Sequence, residues 1–152
     1  MIAYRIADGR FPIYDGTGAM LHGGRWNSPG HPVIYAAETF AGALLEILVH
    51  ANLNHIPHRQ MFVHIQIPEA LIETVDAAAV SGWDKADLLA SRAFGDRWLK
   101  ETRSAVLLVP GMATSGREHN LLINPRHPEF AQIVASSPEP VVWDSRLFER
   151  SK

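Results

Sequence analysis

Three polar side chains occupy unusual places in the first third of the chain. Arg25 lies in the glycine-rich segment 23–27 (GGRWN), Tyr35 lies in a short apolar stretch, and Glu46 lies inside the apolar run 43–49. A guanidinium presents a planar fork of donors that matches a phosphate or a carboxylate, and glycine lets a ligand approach the backbone closely. Together these residues predict a site that binds an anionic ligand and stabilises positive charge developing beside it.

Each of these residues also has an ordinary structural explanation. Arg25 could be a surface arginine in a turn, and Tyr35 could be a core aromatic with a polar tip. Trp26 could pack in the core or stack on a ligand ring. Glu46 has apolar neighbours on both sides, so we expect it to be withdrawn from water, where a carboxylate is costly unless it is paired or used. It could therefore be half of a buried ion pair, a residue facing a groove, or a functional acid.

A second polar cluster covers residues 118–128 (EHNLLINPRHP). Asn120 and Asn124 flank an apolar run of three residues, and the Asn-Pro pair that follows is typical of a strand end and a turn. Asn120 could bind ribose hydroxyls or an amide. Asn124 is predicted to tie the turn to the backbone.

The histidines form the main competing set. His50, His55 and His58 lie near a predicted helix end, where a cationic histidine is favourable without any metal. No metal site is therefore predicted, and no nucleophile elbow, phosphate loop, dinucleotide fingerprint or zinc-protease motif is present. A hydrolase or metal enzyme assembled from these residues is kept as a lower-ranked hypothesis.

Composition narrows the class of protein. The 152 residues include 14 basic and 16 acidic side chains and no cysteine, which excludes thiolate catalysis and disulfides and argues against direct binding of duplex nucleic acid. The N-terminus does not resemble a signal peptide, and the longest apolar runs are too short to span a bilayer. We expect one compact domain, residues 1–152, in the cytoplasm and away from the membrane.

Hydrophobic spacing predicts an α+β fold with mixed or antiparallel sheets and flanking helices. Thr39 is predicted to cap a helix within residues 38–52, and Gly95 to weaken a second, less regular helix within 83–102. The region 21–32 is expected to be loop with at most a brief strand. The predicted strands cover residues 1–7, 33–37, 63–67, 105–109, 121–123, 132–134 and 141–143, with a short helix at 144–149.

The order and spacing of these motifs resemble the RES domain, found in toxins of bacterial type II toxin–antitoxin modules. The resemblance covers about residues 2–134. It rests on the segments 4–5 (YR), 23–27 (GGRWN), 33–37 (VIYAA), 45–46 (LE) with 49–50 (VH), and 120–125 (NLLINP) with 127–128 (HP), together with Gly30. It implies a fold related to ADP-ribosyltransferases, with NAD as the substrate and no separate cofactor.

The resemblance also implies roles for particular residues and for partners. Arg25, Tyr35 and Glu46 match the family's catalytic set, and the residues expected to bind substrate are Tyr4, Arg5, Gly24, Trp26, Asn27, His50, Ser115 and Asn120. The acceptor of ADP-ribose could be a protein, water or phosphate. The implied partner is an Xre-like antitoxin that blocks the active site, in a homo-oligomer or a hetero-oligomer.

One position departs from the family pattern. The family commonly has Val-Pro-Ser where residues 109–111 read Val-Pro-Gly. Thr114 or Ser115 could supply the missing hydroxyl through a shifted loop, or the acceptor chemistry could differ. The principal alternative function is a non-catalytic module that docks an Xre-type antitoxin.

Overall fold

The computed structural model describes residues 1–51 and 55–149, which form a sheet with helices against it. The α-helices are α1 (Thr17–His22), α2 (Phe40–His50) and α3 (Leu89–Glu101). The strands are β1 (Ile2–Asp8), β2 (Ile34–Ala37), β3 (Gln60–Gln66), β4 (Ile72–Thr74), β5 (Val106–Pro110), β6 (His119–Ile123), β7 (Val134–Ala135) and β8 (Glu139–Pro140). Short 3-10 turns lie at Glu69–Leu71, Ala77–Ala79, Phe130–Gln132 and Ser145–Leu147.

The strands form one mixed sheet in the order β4-β5-β6-β2-β1-β3-β7, with β8 also paired to β3. Only β4 and β5 run parallel among the described pairings. The ladder between β1 and β2 consists of a single pairing, Tyr4 with Ala37. The predicted α+β class is confirmed.

Strand β5 is buried on both faces of the sheet. Along β5, Val106 and Leu108 join one apolar cluster, whereas Leu107 and Val109 join the other. Because successive side chains of a strand point to opposite faces, a strand covered on both sides reads as a continuous apolar run. This explains why β5 is readily recognised in the sequence.

Helices α2 and α3 lie on the same face of the sheet. Trp98 and Leu99 of α3 share a cluster with Leu107 and Leu122, which places this helix over β5 and β6. Helix α2 instead packs on β1 and β2. The separation between the two helices leaves part of this face uncovered.

The capped helix is the best-predicted element, because its signal is local. The Thr39 hydroxyl accepts a hydrogen bond from the Gly42 amide at 2.8 Å and donates one to a Glu118 carboxylate oxygen. Such a cap satisfies one of the donors that a helix start leaves free.

Several boundaries differ from the sequence-based prediction. Helix α3 begins at Leu89 rather than near Trp83, because Leu88 adopts a left-handed conformation with φ of 61°. Helix α1 and strand β4 were not predicted, and the late strands at 132–134 and 141–143 are replaced by the two-residue strands β7 and β8. Strands β4, β7 and β8 are two or three residues long and are defined by their pairing with β5 or β3. Helix α1 has six residues. None of these elements is long enough to give a periodic pattern in the sequence.

Within the described part of the chain, no helix combines the length and the apolar character needed to cross a membrane.

Candidate active site

A cleft of about 820 Å³ opens on the sheet face between α2 and α3. This volume lies in the range typical of small-ligand sites. Tyr4, Tyr35 and Asn120 line it from strands β1, β2 and β6, and Glu46 lines it from α2. The sheet thus brings together residues that are far apart in the sequence.

The segment 23–27 forms one wall of this cleft and is shaped around Tyr35. The Tyr35 hydroxyl accepts a hydrogen bond from the Trp26 amide at 3.2 Å and donates one to the Asn27 side-chain oxygen at 2.7 Å. A Cβ atom on Gly24 would lie 2.5 Å from that hydroxyl. The glycine therefore makes room for the protein's own tyrosine, which corrects the expectation that it serves only the approach of a ligand.

Helix α3 holds the same loop from its other side. The Arg92 Nε atom donates to the Gly24 carbonyl at 2.9 Å, and the Ser91 hydroxyl donates to the Arg25 carbonyl at 2.6 Å. The Asp96 carboxylate accepts hydrogen bonds from the amide and the hydroxyl of Ser28 at 2.8 and 2.6 Å. Bonds to a charged partner are stronger than neutral ones, so this wall is firmly positioned.

Gly95 is the position that permits this contact between helix and loop. A Cβ atom there would lie 1.7 Å from the Trp26 carbonyl oxygen. The expectation that Gly95 only weakens the helix is therefore incomplete. Its lack of a side chain allows α3 to approach the loop backbone.

Arg25 lines the cleft with its guanidinium partly engaged. Its Nη1 atom donates to the carbonyls of Trp83 and Lys85 at 3.1 and 3.0 Å. These bonds connect the loop to the turn before α3. They leave the other donors of the fork without partners among the described residues.

Arg5 borders the cleft but is bound to the fold. It donates to the carbonyls of Ile13, Tyr35 and Asp15 at 2.6, 2.8 and 3.3 Å. Burial lowers the pKa of Arg5, an effect that the charge of Asp15 partly offsets. Its guanidinium therefore joins β1 and β2 where their ladder stops.

Glu46 faces the cleft from α2 and has a defined partner. Asn120 donates from its side-chain nitrogen to one Glu46 oxygen at 2.8 Å, and the second oxygen has no hydrogen-bond partner among the described residues. The helix achieves this by leaving Leu45 38% and Val49 59% exposed. Glu46 is half-buried rather than withdrawn from water, and of the alternatives considered for it the structure matches a residue that faces a groove.

Tyr35 is suited to donate a hydrogen bond rather than to act as a base. Burial raises the pKa of its hydroxyl, and the charges of Arg92, Asp96 and Arg25 also reach it. The phenol therefore stays protonated and bonded to Asn27 at ordinary pH. This geometry supports a role in holding the loop.

The remaining residues predicted to bind substrate occupy different surroundings. Tyr4 and the exposed His50 line the cleft, and the Tyr4 ring packs edge-on against Phe40. Trp26 also borders it, but its ring is 2% exposed and stacks on Trp83, with Phe94 edge-on.

Two predicted binding residues do not line the cleft. Asn27 is fully buried, and its side chain donates to the carbonyls of Ala19 and Ser28. Ser115 is exposed in a turn with a φ of 55°, outside the cleft wall. The first holds the loop, and the second is carried away from the cleft by its turn.

The loop after β5 brings apolar groups to the cleft where the family pattern has a hydroxyl. Pro110, Met112 and Ala113 line the cleft. The Thr114 hydroxyl donates to the Gly111 and Glu118 carbonyls at 3.2 and 3.4 Å. The structure therefore gives no support to a replacement of the missing serine by Thr114 or Ser115.

Asn124 behaves as predicted from the sequence. It is 2% exposed, and its side-chain oxygen accepts a hydrogen bond from the Arg126 amide at 3.0 Å.

The histidines near the end of α2 form no group of three metal-ligating side chains within the described ranges.

Arg92, Ser91 and Asp96 were missed by sequence reasoning. One signal was available, because a helical glycine at position 95 indicates that something approaches closely. The partner of that glycine lies almost seventy positions away in the chain, so local spacing does not identify it.

A family model and several known proteins match most of this chain. A model of the RES domain matches residues 2–144. The Prs ADP-ribosylating toxin of Sphingobium sp. (strain YBL2) is 36% identical over 141 residues, which cover 90% of this chain and 87% of that protein. A protein named Toxin Res from Pseudomonas putida is 35% identical over 150 residues, covering 97% and 100% of the two chains.

A solved structure shares the fold. A chain in the crystal structure of the M. tuberculosis MbcT–MbcA toxin–antitoxin complex superposes with a TM-score of 0.72 at 20% identity. The match covers 92% of this chain and 83% of that one.

Proposed function

Because the chain belongs to the RES-domain family, we propose that it is a toxin that cleaves the nicotinamide–ribose bond of NAD and transfers ADP-ribose to an acceptor. One observation supports this most directly. A carboxylate with a free oxygen, Glu46, shares a cleft with Arg25 and Arg92, which have no carboxylate partner among the described residues.

The proposed orientation of NAD follows from charge. The anionic pyrophosphate binds at Arg25, since a guanidinium matches phosphate oxygens. The nicotinamide ribose lies toward Glu46, with Tyr4 and His50 beside it. Tyr35 supports this orientation indirectly, because its hydroxyl holds the loop that carries Arg25.

The proposed reaction requires only one carboxylate. Nicotinamide is a cation in NAD, so it leaves with the electron pair of the broken C1′–N bond and needs no protonation. Positive charge then develops on the ribose, as in the oxocarbenium-like transition states of glycosidases. Glu46 stabilises that charge, and it accepts the proton of the acceptor as the new bond to C1′ forms.

Asn120 keeps Glu46 suitable for this role. Its bond to one carboxylate oxygen fixes the rotamer and leaves the other oxygen directed to substrate. Asn120 is therefore proposed as a positioning residue.

A protein side chain is the first choice of acceptor, because the Sphingobium relative is named as an ADP-ribosylating toxin. Water and phosphate are the alternatives. The purified chain should be incubated with NAD, with and without phosphate and with and without lysate protein, and the product masses determined. Free ADP-ribose as the sole product would reject protein transfer for the proteins tested.

The Glu46→Gln variant tests the assignment of the carboxylate. It preserves size and hydrogen bonding but removes the charge, so turnover should fall by roughly a hundred- to a thousandfold with little change in NAD binding. Glu139→Gln, at an exposed position on β8, is the matched control. Equal NAD consumption by wild type and Glu46→Gln would refute the mechanism.

We further propose that an Xre-like antitoxin covers the mouth of the cleft. Val49 and Met112 border the cleft and are 59% and 45% exposed, and apolar exposure of this kind favours a protein contact. The similar fold in a toxin–antitoxin complex supports such a partner. If wild type binds the antitoxin but never releases nicotinamide, the non-catalytic docking function replaces the enzymatic one.

A further inference from the structure

Arg92 lines the cleft and is anchored through one of its guanidinium nitrogens. Its Nε atom donates to the Gly24 carbonyl, whereas its two terminal nitrogens have no hydrogen-bond partner among the described residues. One of them, Nη2, lies 3.0 Å from the position that a Cβ atom on Gly23 would occupy. The guanidinium therefore lies against the bare backbone of the loop, with donors still available.

Arg25 is arranged in a related way. Its Nη1 atom is held by two carbonyls of the 83–85 turn, and its other donors have no partner in the described ranges. Both arginines line the same cleft, and Arg92 binds the carbonyl of Gly24, the residue that precedes Arg25 in the loop. Two anchored cations thus lie on the same wall of the cleft.

Neither cation has a carboxylate partner in the described part of the chain. Within residues 1–51 and 55–149, no ion pair includes Arg25 or Arg92. The carboxylate of Asp96 is engaged by the amide and hydroxyl of Ser28. Adjacent like charges repel, so this arrangement is best satisfied by an anion with more than one charge.

We propose that Arg92 is a second phosphate-binding residue and forms, with Arg25, a diphosphate subsite that selects dinucleotides over mononucleotides. The inference rests on the proposed function and deepens it. Arg92 has two connected roles, because the bond that holds Gly24 also fixes its guanidinium in the cleft wall. A diphosphate offers a separate phosphate group to each of the two guanidiniums.

Binding of nucleotides without a nicotinamide bond tests the subsite without catalysis. We expect wild type to bind ADP more tightly than AMP. The Arg92→Gln variant should lose roughly ten- to a hundredfold in ADP affinity, as for the loss of a charge-assisted contact, with a smaller change for AMP. Arg97→Gln, an exposed arginine on the same helix, is the control and should bind both nucleotides like wild type.

Steady-state kinetics distinguish a loss of phosphate binding in Arg92→Gln from a general loosening of the loop. With NAD, Arg92→Gln should raise KM and leave kcat near the wild-type value. With nicotinamide mononucleotide, which has the same scissile bond but one phosphate, KM should change little. Because Arg92→Gln also removes the bond to the Gly24 carbonyl, Tm should fall modestly in either case, but a purely structural defect would lower kcat for both substrates. Arg92→Lys, which keeps the charge without the planar fork, should recover only part of the lost ADP affinity.

The outcomes distinguish this inference from the proposed function. If wild type consumes NAD and Arg92→Gln retains the wild-type preference for ADP over AMP, the diphosphate subsite is wrong and the NAD reaction stands. If Arg92→Gln loses the wild-type preference for ADP but wild type releases no nicotinamide, the subsite is correct and the proposed reaction is wrong. Equal loss of ADP and AMP affinity would also overturn the subsite.

Discussion

The two walls of the cleft are held in very different ways. The loop wall is fixed by α3 through the carbonyls of Gly24 and Arg25 and through Ser28. The opposite wall presents Glu46, whose carboxylate takes one hydrogen bond, from Asn120. Polar groups of the loop wall maintain its shape, whereas the carboxylate keeps an oxygen free for a ligand.

Because of this difference, we expect changes in the loop wall to affect mainly the stability of the fold and changes beside Glu46 to affect mainly turnover. Changes in the loop wall should reduce the free energy of unfolding and weaken ligand binding, because buried hydrogen bonds and close packing are lost. Changes at Asn120 should reduce turnover with little effect on folding. Variants in the two walls therefore test whether stability depends on the loop wall and turnover on the Glu46 wall, as the contacts of each wall indicate.

The largest effect on stability is expected from Gly95→Ala. The added carbon would collide with the Trp26 carbonyl, so α3 and the loop must separate, at a cost of about 3 kcal/mol or more. Urea denaturation measures the change in the free energy of unfolding.

Gly18→Ala is the control for the effect of alanine in a helix. A Cβ at Gly18 meets nothing within 4 Å, and alanine is favoured over glycine in a helix by up to about 1 kcal/mol. We expect unchanged or slightly higher stability. If Gly95→Ala is as stable as Gly18→Ala, the close contact with the loop is not required.

Asn120→Ala is expected to have a smaller effect, and on turnover rather than on stability. Loss of its bond frees the Glu46 rotamer, so kcat should fall by roughly tenfold, consistent with the loss of a positioning contact. The unfolding midpoint should hardly move because the side chain is only partly buried. Asn124→Ala should show the reverse, with lower stability and unchanged kcat, since its side chain holds a turn.

The Asn120→Asp variant sharpens this test. It keeps the size of the side chain but replaces the donor with a second carboxylate, so the hydrogen bond to Glu46 is lost and two negative charges face each other. We expect kcat to fall further than in Asn120→Ala, with the free energy of unfolding again little changed. A wild-type kcat for Asn120→Asp in steady-state assays would show that Asn120 does not position Glu46.

The smallest effect is expected from Tyr35→Phe. Removing the hydroxyl leaves the Trp26 amide and the Asn27 oxygen without this partner, which should lower stability by about 1 kcal/mol. KM for NAD should rise modestly and kcat should persist, as measured by steady-state assays.

Tyr14→Phe is the matched control. The Tyr14 hydroxyl is buried without a hydrogen-bond partner among the described residues, and burial raises its pKa to about 12. Its removal should therefore not reduce stability. A large fall in kcat for Tyr35→Phe at unchanged stability would assign its hydroxyl to the chemistry instead.

Elements with a strong local signal could be predicted from the sequence. Thr39 marks the start of α2, and the apolar run in β5 indicates a strand buried on both faces. Helix α1, the late strands and the start of α3 were predicted incorrectly or missed, because pairing partners and the left-handed Leu88 decide them.

The candidate site was predicted unevenly for a related reason. Residue type identified Arg25, Tyr35, Glu46 and Asn120 as candidates, and all four line the cleft. It did not reveal Arg92, whose partner Gly24 is 68 positions away, or the exposure of Leu45 and Val49 that turns Glu46 to the cleft. Asn27 has the same polar character but is used inside the fold.

The sequence by itself determined the α+β class, the capped helix, the buried strands and the set of polar residues able to do chemistry, because these depend on short-range periodicity and side-chain type. Only the tertiary structure decided which of those residues share a cleft and which support its walls. Asn120 and Glu46 are 74 positions apart, and Gly95 meets Trp26 across a similar separation. Such contacts depend on packing that no local pattern encodes.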